Sequence, residues 1–84
     1  MVRVAAPVEG YSIHVFTRDE HPPAHVHVKK DGSIIKILLG ENGVEYDSYK
    51  RSRPSMRMKN RALEIVADNL DACWEKWKAY HERR

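Results

Sequence analysis

The first half of the chain alternates between apolar and polar residues with a period of two. Residues 11–16 and residues 24–30 both follow this pattern, which is typical of a β-strand with one buried face. The apolar positions of the two segments are Ile13, Val15, Val26 and Val28. We therefore expect two strands whose apolar faces lie against a common core.

A hairpin signal follows the second strand. Asp31-Gly32 favours a type I′ turn, because both central residues of that turn need positive φ. A two-residue turn fixes the register between residues 24–30 and a third strand at residues 33–39. The predicted cross-strand pairs are Val28 with Ile35, Val26 with Ile37, His27 with Lys36, and His25 with Leu38.

The neighbouring strands extend this polar face. Asn42-Gly43 predicts a turn into a fourth strand at residues 44–49, with Tyr49 opposite Lys36 and Asp47 opposite Leu38. The alternative is a longer loop at residues 40–43, which would change this register. An antiparallel pairing of the first two strands that sets His14 against His27 would bring Phe16 near His25. Two rows of side chains should then cross the polar face. One row is His14, His27, Lys36 and Tyr49, and the other is Phe16, His25, Leu38 and Asp47.

From about Ser55 the apolar residues recur at helical spacing. Pro54 and Ser55 suit a helix start, and Asn69 and Asp71 mark the place where one long helix could divide into two. The apolar stripe consists of Met58, Ala62, Ile65, Val66, Leu70, Cys73, Trp77 and Tyr80. The pattern predicts one α+β domain over residues 1–84: an antiparallel β-meander of three to four strands at about 10–49, a basic linker at 50–54, and one long or two short C-terminal helices at about 55–82.

Composition narrows the class of protein. A chain of 84 residues buries only ~60% of its unfolded surface, so a partner protein or a second copy in a homodimer could add stability. No stretch reaches the ~20 apolar residues of a membrane span, and the first ten residues lack the apolar core of a signal peptide. Cys73 is the single cysteine and reads as a reduced core thiol. We expect a cytoplasmic protein without a cofactor.

Positive charge is concentrated in one segment. The formal net charge is +3, yet six cations lie between residues 50 and 61 with no Asp or Glu among them. These cations are Lys50, Arg51, Arg53, Arg57, Lys59 and Arg61. Such a segment is either a solvated linker or a surface for a polyanion or an acidic protein. We predict phosphate or nucleic-acid binding by Lys50, Arg51, Arg53, Arg57 and Arg61, because an anion would relieve the conflict between these cations and the N-terminal end of the helix dipole.

The histidines suggest a second site. His25 and His27 lie two apart on a strand and therefore project from the same face, which we expect to be the solvent side. One interpretation is a polar surface without chemistry. Another is a metal-independent ribonuclease, in which one imidazole deprotonates a ribose 2′-hydroxyl, the other protonates the leaving oxygen, and Lys36 offsets phosphorane charge. A third is a metal site from His14, His25 and His27, although their spacing favours no tetrahedral set.

The segment before the histidine strand has an architectural interpretation. Pro22 and Pro23 donate no backbone hydrogen bonds and favour polyproline II, so they should deliver the chain stiffly into the strand. His21 could fold over the sheet edge.

The run His21-Pro22-Pro23-Ala24-His25-Val26-His27-Val28 resembles the motif of the bacterial domain-of-unknown-function family 4160. The Gly32 hairpin and the helix that carries Trp77 and Tyr80-His81 extend the resemblance from about Tyr11 to His81. The motif residues are His21, Pro22, Pro23, His25 and His27. The resemblance implies a gene beside another small family of unknown function, number 2442, in an arrangement similar to a toxin and antitoxin pair.

We therefore expect a component of a toxin–antitoxin-type module. It would bind RNA, a small protein partner encoded nearby, or both, through the histidine-bearing face and the basic segment. If the protein is an enzyme, a metal-independent endoribonuclease using His25, His27 and Lys36 is expected.

Overall fold

The computed structural model describes residues 2–16 and 22–81, and this part of the chain confirms the α+β architecture. Five antiparallel strands form one sheet in the order of the chain, and two helices follow. The strands are β1 (Val2–Arg3), β2 (Ser12–Val15), β3 (His25–Lys30), β4 (Ser33–Leu39) and β5 (Val44–Arg51), and the helices are α1 (Met56–Asp68) and α2 (Leu70–His81). The short β1 was not predicted, and it raises the strand count above the expected three to four.

Two tight turns close the hairpins at one end of the sheet. Asp31 and Gly32 have φ values of 46° and 86°, as a type I′ turn requires. The predicted β3–β4 register is confirmed at all four pairs, including His27 opposite Lys36. A similar turn stands before β2, where Glu9 and Gly10 have φ values of 53° and 82° and Val8 pairs with Tyr11. The two turns lie at the same end of the sheet because β2 begins where β3 ends.

The predicted register of β5 against β4 is wrong. Leu39 pairs with Val44, so residues 40–43 form a four-residue connection instead of a two-residue turn. The register then shifts between Lys36 and Ile37, which leaves Asp47 as the extra residue of a β-bulge. As a result Lys36 faces Ser48 and Leu38 faces Glu45, while Tyr49 lies opposite Ile35 on the other face.

The helical segment divides where Asn69 was expected to break it. Ser55 caps α1, and its Oγ accepts a hydrogen bond from the Met58 backbone N–H at 3.1 Å. At the other end the Asn69 side chain donates to the Ile65 carbonyl at 2.8 Å, and α2 begins at Leu70. Of the two alternatives left open by the sequence, two short helices is therefore correct.

The core lies between the helices and the apolar face of the sheet. The buried sheet residues Val26, Val28, Ile35 and Ile37 pack in one cluster with helix residues. The helix members of the cluster are Ala62, Ile65, Val66, Cys73 and Trp77. Cys73 has no solvent exposure, as expected of a core thiol, and burial raises the pKa of this thiol to about 12. No helix in residues 2–16 and 22–81 is long and apolar enough to cross a bilayer.

Helix α2 crosses the end of the sheet at which β3 begins. Trp74 donates from its indole N–H to the Gly40 carbonyl just after β4, at 2.9 Å. The Trp77 ring lies 5.1 Å from the ring of His25, the first residue of β3. His81 donates to the Phe16 carbonyl just after β2, at 2.6 Å. These contacts recur every three to four residues, so one face of α2 meets the ends of three successive strands.

Candidate functional site

The cross-strand register assembles three rows of side chains on the sheet face opposite the buried valines and isoleucines. Directly opposed residues share a face, so the pairing of neighbouring strands defines each row. The first row is Arg3, His14, His27, Lys36 and Ser48, the second is Ser12, Lys29, Ile34 and Lys50, and the third is His25, Leu38 and Glu45. We call this surface the histidine face. It carries a cation from each of β1, β3, β4 and β5.

His25 and His27 are not exposed on this face, and the expectation that they face solvent is wrong. The exposed fraction is 3% for His25 and 5% for His27. The Phe16 ring stacks on the His27 ring at 4.0 Å, and the His25 ring meets the His27 ring edge-on at 5.2 Å. The Trp77 ring adds a contact to His25 from the helical layer. Phe16, which follows β2, and Trp77 of α2 therefore cover the two histidines, although the local sequence pattern indicated that these would be exposed.

The hydrogen bonding of His25 is directed into the fold. Its Nδ1 lies 2.9 Å from the Pro23 carbonyl, which can only accept, so this nitrogen carries the proton. The Leu39 backbone N–H donates to the Ala24 carbonyl at 2.9 Å, which extends the β3–β4 pairing back toward the prolines. The peptide bond between Pro22 and Pro23 is cis, whereas polyproline II would keep it trans. His21 lies outside the described residues.

Of the two residues expected beyond His27 in its row, Lys36 lies there and Tyr49 does not. Lys36 lies beside His27 in the first row, and its Nζ is 3.8 Å from an Asp47 carboxylate oxygen. Both side chains of that pair are more than a third exposed, so water weakens the attraction. Tyr49 faces away from the row because the bulge changed its register.

His14 is the half-buried imidazole of the histidine face. Its Nε2 lies 2.9 Å from the Ser12 hydroxyl, and its Nδ1 is buried without a hydrogen-bond partner among the described residues. Burial lowers the pKa of His14, and the positive charges of Lys29 and Arg3 lower it further. The fold therefore disfavours the charged form of this ring, and an anion bound nearby would offset the repulsion between that form and the two cations.

The three histidines do not form a metal site in this arrangement. Within the described ranges, no group of three or more His, Cys, Asp or Glu side chains is placed to hold a metal ion. The geometry gives no support to the metal-binding alternative that used His14, His25 and His27.

The basic segment divides into engaged and unengaged cations. Lys59 lies over the Tyr46 ring at 4.9 Å. Arg61 donates to carboxylates of Glu9 at 2.9 Å and Glu64 at 3.0 Å, and its hydrogen bond lowers the pKa of Glu9. The remaining cations are exposed and form no ion pair with any residue that the structure describes; they are Lys50, Arg51, Arg53 and Arg57.

Of these four unengaged cations, the strand register places only Lys50 on the histidine face. Lys50 belongs to the second row of the face, and Arg51 follows it at the end of the strand with a φ of 67°. Arg53 lies in the connection to α1, while Arg57 lies in the first turn of α1 within the helical layer. Lys36 and Lys50 therefore share the histidine face, but Arg57 belongs to a different part of the surface.

Two cations of the face were missed by sequence reasoning. Lys29 lies two residues after His27, so the alternation that selected the histidines also places Lys29 on their face. Arg3 gave no such signal. Arg3 reaches the face through the two-residue β1, which has too few residues to show a period.

Comparison with known proteins identifies a family of unknown function. A family described as a domain of unknown function, DUF4160, matches residues 10–78. No curated protein and no solved structure matches the chain. The matched region runs from the turn before β2 to the last turns of α2, and thus contains most of the sheet and both helices. The chain therefore belongs to the DUF4160 family, as the resemblance of its histidine and proline motif predicted.

Proposed function

We propose that this protein is an RNA-binding module that holds the backbone of a single strand on its histidine face. The observation that carries the proposal is that four cations lie on one face of the sheet, each on a different strand. The four are Arg3, Lys29, Lys36 and Lys50.

The charges of this face suit a polyanion. Lys29 and Lys50 flank Ile34 from the strands on either side of it, so they stand about 10 Å apart at the usual strand spacing. Neither lysine forms an ion pair with a described residue, so neither has to give up a protein carboxylate to bind a phosphate. Backbone contacts of this kind give affinity without reading sequence.

An aromatic ring on the same face favours a single strand over a duplex. Phe16 is partly exposed while it stacks on His27, which holds its ring in a fixed orientation. Proteins that bind single strands combine a basic surface with aromatic rings on which bases stack. Phe16 is the residue we assign to base stacking.

Binding is better supported than cleavage. A general acid or base has to come within about 3 Å of the proton that it transfers, and the rings of His25 and His27 are almost fully covered. The ribonuclease hypothesis with His25, His27 and Lys36 thus needs these rings to become accessible. A toxin–antitoxin-type module and a small protein partner encoded nearby remain part of the proposal and rest on the family resemblance alone. A cytoplasmic location is also part of the proposal and rests on the composition of the chain.

The proposal is tested by RNA binding as a function of salt concentration. A fluorescently labelled single-stranded RNA of mixed sequence is titrated with protein, and fluorescence anisotropy is followed at several concentrations of KCl. Each phosphate contact lowers the slope of log K against log salt by about 0.7, so the double variant Lys29→Gln/Lys50→Gln should show a slope about 1.4 shallower than the native protein.

A matched control removes the same charge elsewhere. The double variant Lys76→Gln/Lys78→Gln changes two lysines of α2 and should keep the native slope. The RNA is recovered after each titration and should be intact. Absence of binding by the native protein at low salt, or equal losses in both double variants, would contradict the proposal.

A further inference from the structure

The end of the sheet that carries the two tight turns contains a depression of about 440 Å³. We call it the hairpin-end depression. Its lining comes from the start of β2, the β3–β4 hairpin and the end of β5: Gly10, Ser12, Lys29, Lys30, Asp31, Gly32, Ser33, Ile34 and Arg51. Ser12, Lys29 and Ile34 also belong to the second row of the histidine face. Lys30, Ser33 and Arg51 pair in a row of the opposite face, so the depression extends from the histidine face around the end of the sheet.

Two cations of the depression have no ion-pair partner among the residues that the structure describes. Lys30 donates to the Glu9 carbonyl at 2.8 Å and stands 3.7 Å from the Asp31 carboxylate, so the one acidic side chain of the lining already has a cation beside it. Lys29 and Arg51 form no ion pair with any described residue. A group with two negative charges would match them.

The depression also contains a neutral hydrogen-bond donor, the hydroxyl group of Ser12. Ser12 lines the depression, and its Oγ lies 2.9 Å from His14 Nε2. When the imidazole N–H donates to Ser12 Oγ, the hydroxyl proton is free to point away from the ring. Ser12 can then donate a hydrogen bond to an anion in the depression.

Glycine keeps the rim of the depression open. A side chain at Gly10 would place a Cβ only 2.8 Å from Lys30 Nζ, and the φ of +82° at Gly10 is one that other residues rarely adopt. Gly32 has a φ of +86° on the opposite turn. Both turns therefore present bare backbone, which allows close approach of a ligand.

We propose that the hairpin-end depression binds the terminal phosphate of an RNA strand that lies on the histidine face. This inference rests on the proposed function. A terminal phosphomonoester carries a charge of about −1.5 to −2 at neutral pH, whereas an internal phosphodiester carries a single negative charge. Lys29 and Arg51 supply the matching charge, and Ser12 supplies a neutral donor. The position at the edge of the face is where a strand would end.

The test uses three RNAs of one sequence that differ in their ends: a 5′-phosphate, a 3′-phosphate, or hydroxyl groups at both ends. Affinities are measured by anisotropy at one salt concentration with an internal label. One phosphorylated RNA should bind roughly tenfold more tightly than the hydroxyl-ended RNA, and the identity of that RNA tells which end enters the depression.

Variants then locate the effect. Arg51→Asn removes the charge while keeping a residue that tolerates positive φ, and it should reduce the preference to within about twofold. Lys76→Gln removes a cation of α2, outside the depression, and should keep the native preference. Circular dichroism checks that both variants are folded.

The outcomes separate the two proposals. Equal affinities for all three RNAs, with binding retained, would overturn the phosphate site and leave the RNA-binding function intact. A native preference that survives Arg51→Asn would also overturn it. Failure to bind any RNA would remove both proposals together.

Discussion

His25 belongs to the fold more than to a reaction, and its replacement by alanine should destabilise the protein. The ring is 3% exposed, donates from Nδ1 to the Pro23 carbonyl at 2.9 Å, and lies 5.1 Å from the Trp77 ring. The variant His25→Ala removes both contacts at the place where α2 meets the start of β3.

The magnitude follows from these contacts. Loss of the hydrogen bond should cost about 0.5–1.5 kcal/mol, since Pro23 is exposed and water can donate to its carbonyl in the variant. The aromatic contact contributes about 0.5–1.5 kcal/mol, and the space left by the ring adds a cavity cost. We expect a loss of about 2–4 kcal/mol in the free energy of unfolding. For a domain of this size, that loss lowers Tm by roughly 8–30 °C.

The measurement is thermal and urea unfolding followed by circular dichroism, with Lys36→Ala as the matched control. The Lys36 side chain is 35% exposed, and its one ion pair within residues 2–16 and 22–81 is with Asp47, so its replacement should change stability by less than about 1 kcal/mol. The same proteins are assayed for RNA cleavage. Full native stability of His25→Ala would refute the structural role of His25, and RNA cleavage lost in both variants would restore the catalytic hypothesis.

Three further predictions concern stability. Burial lowers the pKa of His14 in the folded protein, and the charge of Lys29 lowers it further. As the pH drops, the unfolded chain therefore binds a proton at this residue before the folded protein does. The free energy of unfolding should then decrease as the pH drops below about 6.5. The urea midpoint should be lower at about pH 5.5 than at about pH 7.5, and this difference should be smaller for His14→Gln than for the native protein. An equal difference in both proteins would contradict the role of His14. Cys73→Ser should cost about 1–3 kcal/mol, because a hydroxyl replaces a fully buried thiol, and Cys73→Ala, measured in the same urea series, should cost less. Gly32→Ala should cost about 1–2 kcal/mol because of the φ of +86° and a Cβ only 3.2 Å from Ser52 Oγ; a native urea midpoint would show that the turn can relax.

The β3–β4 hairpin and the place at which the helical segment divides were predictable because local chemistry determines both, whereas the sequence left open whether one helix or two would form. Asp31-Gly32 accepts the positive φ of a two-residue turn, and the register then follows by counting outward. Asn69 bonds back to the Ile65 carbonyl within the same segment, so the end of α1 depends on residues four apart.

The β4–β5 pairing was not predictable in the same way. Gly40 and Gly43 are joined by a backbone hydrogen bond of 2.8 Å, which makes the connection longer than the Asn42-Gly43 signal indicated. The bulge at Asp47 then allows Tyr46 to pack against the core under Lys59 while Lys50 returns to the histidine face. A bulge of this kind depends on what packs on each side of the strand, which single-strand alternation does not report.

By itself, the sequence determined the antiparallel α+β class, the apolar face of the sheet, the neighbours of His27 in β4 and the family to which the chain belongs. Periodicity and turn chemistry act over a few residues, and these features depend on little else. Only the tertiary structure decided that His25 and His27 are covered, because Phe16 and Trp77 reach them from other elements. It also moved the functional question from the two motif histidines to the cations beside them, since the pairing of five strands is what brings those charges onto one face.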